Sequence, residues 1–136
     1  MIDAATQSRL QDLFRRENRT LLQYAREAAL WSADKDRSAS QRVQELAAAE
    51  FSALEQLAAF LEEQHVPLPY LGAYPARFTD FNFIGVRALL PKLVDDERRG
   101  LAVLEHDAAT TNGPARELVT QILEMKRQHL AELQQL

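Results

Sequence analysis

The chain has 136 residues and a formal net charge of −4, and this length is typical of one domain, which we predict to span residues 1–136. It contains no cysteine, which excludes disulfide bonds, thiolate metal sites and a cysteine nucleophile. Acidic and basic residues are interspersed, without the basic stripe of a nucleic-acid-binding protein. No apolar run could span a membrane, and the first residues lack a secretory pattern, so we expect a cytoplasmic protein that binds neither nucleic acid nor membrane.

Four segments with helical periodicity follow one another along the chain. The first is predicted to be one helix from Ala4 to Ser32, because its apolar residues recur at spacings of three, four and seven. These residues are Leu10, Phe14, Leu21, Tyr24, Ala28 and Trp31, and we expect Tyr24 and Trp31 to belong to the core. The second helix is predicted from Ser40, whose hydroxyl can cap the first turn, to about His65, before two prolines.

The connection from Val66 to Thr79 is unusually long for a link between helices, and it is apolar and aromatic. Fully extended, it could reach ~46 Å, whereas the second helix should be ~39 Å long. The connection can therefore cross the whole length of a helical bundle. We expect it to expose aromatic and apolar side chains that favour a homodimer, the alternative being that they cover the protein's own core. These side chains are Tyr70, Leu71, Tyr74 and Phe78.

The third helix is predicted to begin at Thr79 or Asp80 and to end near Ala109, with Phe83 on its apolar face. Pro91 either kinks this helix or begins a second one after a short helix that ends near Leu89. The sequence Asn112-Gly113-Pro114 then marks a stop and a restart, and the fourth helix runs to near the carboxyl end.

Each predicted helix carries one ionisable residue in the middle of its apolar stripe, and these are Glu17, Glu50, Glu97 and His129. Carboxylates and imidazoles in such positions are candidate metal ligands, because hard and borderline cations prefer oxygen ligands supplemented by imidazole. The densest basic positions, Arg15-Arg16 with Arg19 and Arg98-Arg99, are interpreted instead as solvent-exposed helix faces.

Three helical segments resemble those of the ferritin-like superfamily. The sequence AAAEFSALEQL resembles its second helix, ALLPKLVDDERRGLAVLEHDA its third with Glu97 at the glutamate position, and ILEMKRQHLAEL its fourth with His129. The resemblance implies an all-α, ferritin-like four-helix bundle with one long crossover between helices 2 and 3. It also implies a di-iron site made of one Glu, a Glu-x-x-His, another Glu and a second Glu-x-x-His.

Two of these six ligand positions depart from the pattern. Ala53 replaces the histidine three residues after Glu50, and Lys126 replaces the glutamate three residues before His129. The ammonium group of Lys126 would supply positive charge without a metal ion and would pair with Glu50 or Glu97. If the fourth helix were rotated from this assignment, Glu124 would face inward in place of Lys126.

These departures favour a ferritin-like protein that has lost di-iron chemistry, has no cofactor and acts through association with an unidentified protein or with a second copy. The first alternative is an iron- or manganese-binding protein with oxidase or iron-handling activity, which would use Glu50, Glu97, His129 and Glu17. The second alternative is a carrier of a small apolar ligand. No residue is assigned a catalytic role, because no nucleophile motif or phosphate-binding loop is found.

Overall fold

The computed structural model describes residues 2–28 and 31–136, and all regular secondary structure in these ranges is helical. The predicted all-α class is therefore confirmed. None of the described helices is both long and apolar enough to cross a membrane. The α-helices are α1 (Ala4–Glu17), α2 (Leu21–Ala28), α3 (Arg37–Glu63), α4 (Val86–Thr110) and α5 (Gly113–Gln135), with short 3₁₀ helices at Asp34–Asp36 and Ala76–Phe81.

The prediction of one helix over Ala4–Ser32 is wrong, because the chain breaks between α1 and α2. At the end of α1, the side-chain amide of Asn18 donates to the Phe14 carbonyl at 2.8 Å. At the start of α2, the Thr20 hydroxyl accepts from the backbone N–H of Gln23 at 3.2 Å. The Thr20-x-x-Gln23 spacing is typical of a helix start, so this break had a local sequence signal that the apolar periodicity obscured.

Three other boundaries differ from the predictions. Helix α3 begins at Arg37 rather than at Ser40, and the 3₁₀ helix Ala76–Phe81 occupies the predicted start of the third helix. Helix α4 begins only at Val86 and continues through Pro91, so the predicted single helix is correct at this proline and the alternative of two separate helices is wrong.

Polar contacts between helices give their relative directions. Arg42, near the start of α3, pairs with Glu132, near the end of α5, at 2.7 Å. Arg87, near the start of α4, donates to the carbonyl of Leu136, just beyond the end of α5. Helices α3 and α4 therefore both run antiparallel to α5 and parallel to each other.

The segment between α3 and α4 extends along α1 and α2. The Gln11 side chain donates to the Pro67 carbonyl at 2.8 Å. Farther along, the rings of Tyr24 and Tyr74 lie edge to face with centroids 5.2 Å apart. This segment therefore passes first beside α1 and then beside α2, which allows it to connect two parallel helices.

The four side chains expected to be exposed on this segment have different environments. Phe78 is 1% exposed and belongs to the core, while Tyr70 is 90% exposed. Leu71 and Tyr74 are partly buried. The alternative, in which the segment covers the protein's own core, is therefore correct for Phe78, and exposure is confirmed for Tyr70.

Two aromatic residues predicted to be buried lie at the surface. Trp31 is 64% exposed and Phe83 is 95% exposed. Both predictions depended on extending a helical stripe, but neither residue lies in a helix. The expected helical register does not apply to them, and no helix directs either side chain into the core.

The buried apolar residues form two separate clusters. The first contains residues from the middle and second half of α1, the second half of α3, the second half of α4 and the first half of α5. The second contains residues from α2, the first half of α3, the first half of α4 and the end of α5, together with Phe78. In α3, in α4, in α5 and between α1 and α2, the residues of one cluster are followed by those of the other at the same level of the structure.

Candidate functional site

A layer of buried ionisable side chains lies at the level where the two apolar clusters meet. Along α3, Glu50 lies between Ala47 of the second cluster and Leu54 of the first. The four candidate residues predicted from sequence all belong to this layer, together with Lys126. Their exposed fractions are 4% for Glu17, 4% for Glu50, 1% for Glu97, 1% for Lys126 and 8% for His129.

Lys126 is the centre of the layer. Its Nζ lies 2.7 Å from Oε1 of Glu17, 3.4 Å from Oε1 of Glu97 and 3.9 Å from Oε1 of Glu50. These carboxyl groups come from α1, α4 and α3, so one ammonium group from α5 connects three other helices. Glu124 is exposed and pairs with Arg127, which shows that the alternative rotation of the fourth helix is wrong.

Lys126 stays protonated in this environment. Burial alone lowers the pKa of Lys126, but the carboxylates of Glu17, Glu97 and Glu50 outweigh this effect and raise its pKa above the ordinary value for lysine. The ammonium form is therefore favoured, because removing its proton would leave several buried carboxylates without a counter-charge.

The carboxyl groups of Glu50 and Glu97 both face the ammonium group of Lys126, at 3.9 Å and 3.4 Å respectively. Burial raises the pKa of Glu50, an effect that Lys126 partly opposes. Burial raises the pKa of Glu97 well above its usual value, and the neighbouring carboxylate of Glu50 raises it further. The raised pKa of Glu97 favours its protonated form, so a proton on Glu97 and the ammonium group of Lys126 together reduce the negative charge of the three carboxyl groups.

His129 extends the layer beside Glu50. Its Nδ1 lies 2.7 Å from Oε2 of Glu50, and burial lowers the pKa of His129. With Glu50 ionised and His129 neutral, Nδ1 carries the proton and donates it to the carboxylate. Glu50 thus contacts Lys126 through one oxygen and His129 through the other.

Gly100 makes room for this arrangement, and its role was missed in the sequence. A Cβ atom at position 100 would lie 3.1 Å from Nζ of Lys126 and 3.7 Å from Oε2 of Glu17. The signal was present, because Gly100 follows Glu97 by three residues and therefore shares its helix face. A glycine in the interior of a helix is unfavourable by itself, which points to a close approach of another group.

The layer is bordered by Arg16 and Asp107, which the sequence analysis did not identify. Arg16 had been interpreted as part of a solvent-exposed helix face. The two side chains form an ion pair, with Nη2 of Arg16 2.7 Å from Oδ2 of Asp107. The Nε atom of Arg16 lies 3.7 Å from Oε2 of Glu17. Only the tertiary structure places this guanidinium group beside the layer.

The residues present do not fit a ferritin-like di-iron site. Such a site places two cations among the carboxylates, whereas this layer has the Lys126 ammonium at hydrogen-bonding distance from Glu17 and Glu97. Ala53 offers no ligand atom. Within residues 2–28 and 31–136, no group of three or more His, Asp or Glu side chains is arranged to hold a metal ion.

The chain was compared with models of protein families, with curated proteins and with solved structures. No family model matched it. No curated protein and no solved structure matched it either.

Proposed function

We propose that this protein is a ferritin-like four-helix bundle in which Lys126 takes the place of the metal ions, and that it acts through protein association. In this architecture, α1 and α2 form the first, interrupted helix, and α3, α4 and α5 form the other three. The parallel directions of α3 and α4 support the ferritin-like connectivity, and so does the segment along α1 and α2 that joins them.

The observation that carries the proposal is the position of Nζ of Lys126, within 3.9 Å of carboxyl groups from three helices. Carboxylates buried together repel one another and need a cation or protons to offset the charge. In a metal protein, the ions supply that charge. Here the chain supplies it, so the layer stabilises the arrangement of the helices without bound metal.

The proposed association surface contains the two aromatic residues that the helical pattern had assigned to the core, Trp31 and Phe83. Trp31 lies against Gly85, with a ring carbon 3.0 Å from the position that a Cβ of residue 85 would occupy. Phe83 lines a surface depression together with Tyr24 and Tyr74. Exposed aromatic clusters of this kind are common at protein interfaces, and we propose a second copy of the chain as the partner.

The metal part of the proposal is tested by restoring a ligand. The substitution Lys126→Glu removes the internal cation and recreates the Glu-x-x-His pattern with His129. We expect the unmodified protein to retain less than one iron or manganese ion per chain after anaerobic loading and desalting, and the Lys126→Glu variant to retain substantially more. Lys126→Met serves as the matched control, because it removes the cation without adding a carboxylate.

Retention of one or more ions per chain by the unmodified protein, lost in Glu97→Ala or His129→Ala, would overturn the proposal. It would instead support the alternative of an iron- or manganese-binding protein and direct further work to oxidase and iron-handling assays. Equal retention by Lys126→Glu and Lys126→Met would mean that the ammonium group is not what excludes metal from the layer.

The association part is tested by measuring molar mass with light scattering over a range of concentrations. We expect a dimer that dissociates in the variants Trp31→Ser and Phe83→Ser. Tyr70→Ser is the control, because Tyr70 is 90% exposed, close to the 95% of Phe83, but lies on the segment beside α1. A monomer at every concentration, or a dimer unaffected by either substitution, would contradict the assignment of this surface.

A further inference from the structure

The surface around Trp31 and Phe83 has a direction, because two segments of the chain run side by side along it. Phe83 lines a depression together with Glu27 at the end of α2. Farther along, Trp31 lies against Gly85. We call this edge of the protein the aromatic strip and define it as residues 27–28, 31–36 and 82–87.

One end of the aromatic strip is a depression with aromatic walls and one carboxylate. The depression has a volume of about 440 Å³, and the residues that line it are Tyr24, Glu27, Ala28, Tyr74, Asn82 and Phe83. Glu27 is the single charged residue among these six, and its side chain is 51% exposed. Arg26 lies 3.6 Å from the Glu27 carboxylate. However, Nε of Arg26 donates to Gln23, and its guanidinium group stacks on the Phe51 ring, so Glu27 is open to a further cation.

This combination of groups fits an alkylammonium ion. The face of an aromatic ring attracts a cation, and the Glu27 carboxylate adds a full negative charge. The guanidinium group of Arg19 lies 4.6 Å from the centre of the Tyr74 ring, but Arg19 does not line the depression. An ammonium group at the end of an apolar stem can reach the carboxylate while its stem packs against the rings, and a lysine side chain has this form.

The other end of the aromatic strip carries such a lysine. Lys35 lies in the 3₁₀ helix Asp34–Asp36 and is exposed. The acidic residues on either side of it are already paired, Asp34 with Arg37 at 2.8 Å and Asp36 with Arg87 at 3.1 Å. Within residues 2–28 and 31–136, Lys35 itself forms no ion pair. Its ammonium group is therefore the uncompensated charge at this end of the strip.

We propose that two copies of the chain associate through the aromatic strip, with Lys35 of each copy in the depression of the other, paired with Glu27. Glu27 stands four residues before Trp31 and Lys35 four residues after it, so opposite charges flank the exposed indole ring. A two-fold axis near Trp31 reverses the strip and brings each carboxylate to the lysine of the second copy. This inference rests on the proposed association through Trp31 and Phe83, and it adds the residues that select the partner and its orientation.

The contact is tested by exchanging its charges and measuring molar mass with light scattering over a range of concentrations. In Glu27→Lys alone, or in Lys35→Glu alone, both contacts of a dimer bring like charges together. The dissociation constant of each variant should therefore rise about tenfold or more. In an equimolar mixture of the two variants, a mixed dimer has opposite charges at both contacts. Its dissociation constant should return to within about threefold of that of the unmodified protein.

Restoration by mixing is specific to pairing between two copies, because a pair within one chain cannot be rebuilt by adding a second chain. Circular dichroism checks that each variant is helical. The double variant Glu27→Lys/Lys35→Glu restores the pair in its own dimer, so it tests the same contact if a single variant folds poorly. Glu55→Lys and Lys92→Glu are matched controls, because both residues are exposed on helices outside the strip.

The outcomes separate this contact from the association itself. Single variants that dimerise as tightly as the unmodified protein, or a mixture that stays monomeric, would overturn the contact between Lys35 and Glu27. The association surface would survive that failure if Trp31→Ser still dissociates the dimer. An equal loss in the control variants would mean that general surface charge sets the affinity, which would also overturn the contact. An unmodified protein that is monomeric at every concentration would overturn both proposals.

Discussion

Replacing Lys126 with methionine tests how strongly the buried layer depends on its internal cation. Methionine keeps a long, flexible side chain of similar volume but removes the charge that Glu17, Glu50 and Glu97 share. Removing one partner of a buried ion pair typically destabilises a protein by about 3–5 kcal/mol. Because a domain of this size is stable by about 5–15 kcal/mol, we expect the variant to fold and to be clearly less stable at neutral pH.

The loss should depend on pH in a defined direction. Burial already raises the pKa values of Glu50 and Glu97, and Lys126 opposes this rise. Without Lys126, their folded-state pKa values should rise further above the unfolded value. Such carboxyls bind more protons in the folded state, so their contribution to stability is present at low pH and is lost as the pH rises through the folded-state pKa. Each additional proton held only by the folded protein changes the free energy of unfolding by about 1.4 kcal/mol per pH unit.

The assay is urea unfolding followed by circular dichroism at pH values from 5 to 8, for the unmodified protein, Lys126→Met and Lys92→Met. The free energy of unfolding of Lys126→Met should fall further below that of the unmodified protein as the pH rises from 5 to 8. The additional loss reaches about 4 kcal/mol if the folded variant holds one additional proton over the whole range. Lys92 is exposed on α4, so its substitution should have little effect at any pH. A difference that is the same at pH 5 and pH 8 would refute the internal ion-pair network.

Three further predictions concern other parts of the fold. Phe78→Ala should lower the free energy of unfolding by about 3–5 kcal/mol, because Phe78 is 1% exposed. The control Tyr70→Ala should change it by less than about 0.5 kcal/mol, because Tyr70 is 90% exposed. Similar losses in the two variants would contradict the assignment of Phe78 to the core. Thr20→Ala should cost about 1 kcal/mol by removing the cap of α2, while Thr20→Ser should recover most of it, and no loss in the alanine variant would mean that the hydroxyl is dispensable. Burial lowers the pKa of His129, so its imidazole should titrate below pH 6.5 in nuclear magnetic resonance spectra. The contribution of the neutral imidazole to stability is then present above pH 6.5 and is lost as the pH falls through the lowered folded-state pKa. A titration midpoint for His129 at or above pH 6.5 would contradict this prediction.

The sequence supplied most of the secondary structure and the members of the buried layer. Periodic apolar residues predicted helices at α3 and α5 closely, because a long amphipathic stripe has a single register that buries it. The same stripes indicated Glu50, Glu97 and His129 as inward-facing, since a charged residue between apolar neighbours one turn away on each side must share their face. Periodicity failed at Trp31 and Phe83, because neither residue lies in a helix and the helical register that was extended to them does not apply there.

The sequence by itself determined that the chain is helical, that it has no thiol chemistry, and that each of four helical segments carries an ionisable group on its apolar face. The tertiary structure alone decided how those groups meet. Whether Lys126 pairs with Glu17, Glu50 or Glu97 depends on the heights and rotations of four helices, which no single helix encodes, and the closest contact proved to be with Glu17. The room that Gly100 leaves for Nζ, and the position of the Arg16 guanidinium beside Glu17, are likewise contacts between elements far apart in sequence. Their energies depend on burial and on distances of a few ångströms, and both are set only when the helices pack.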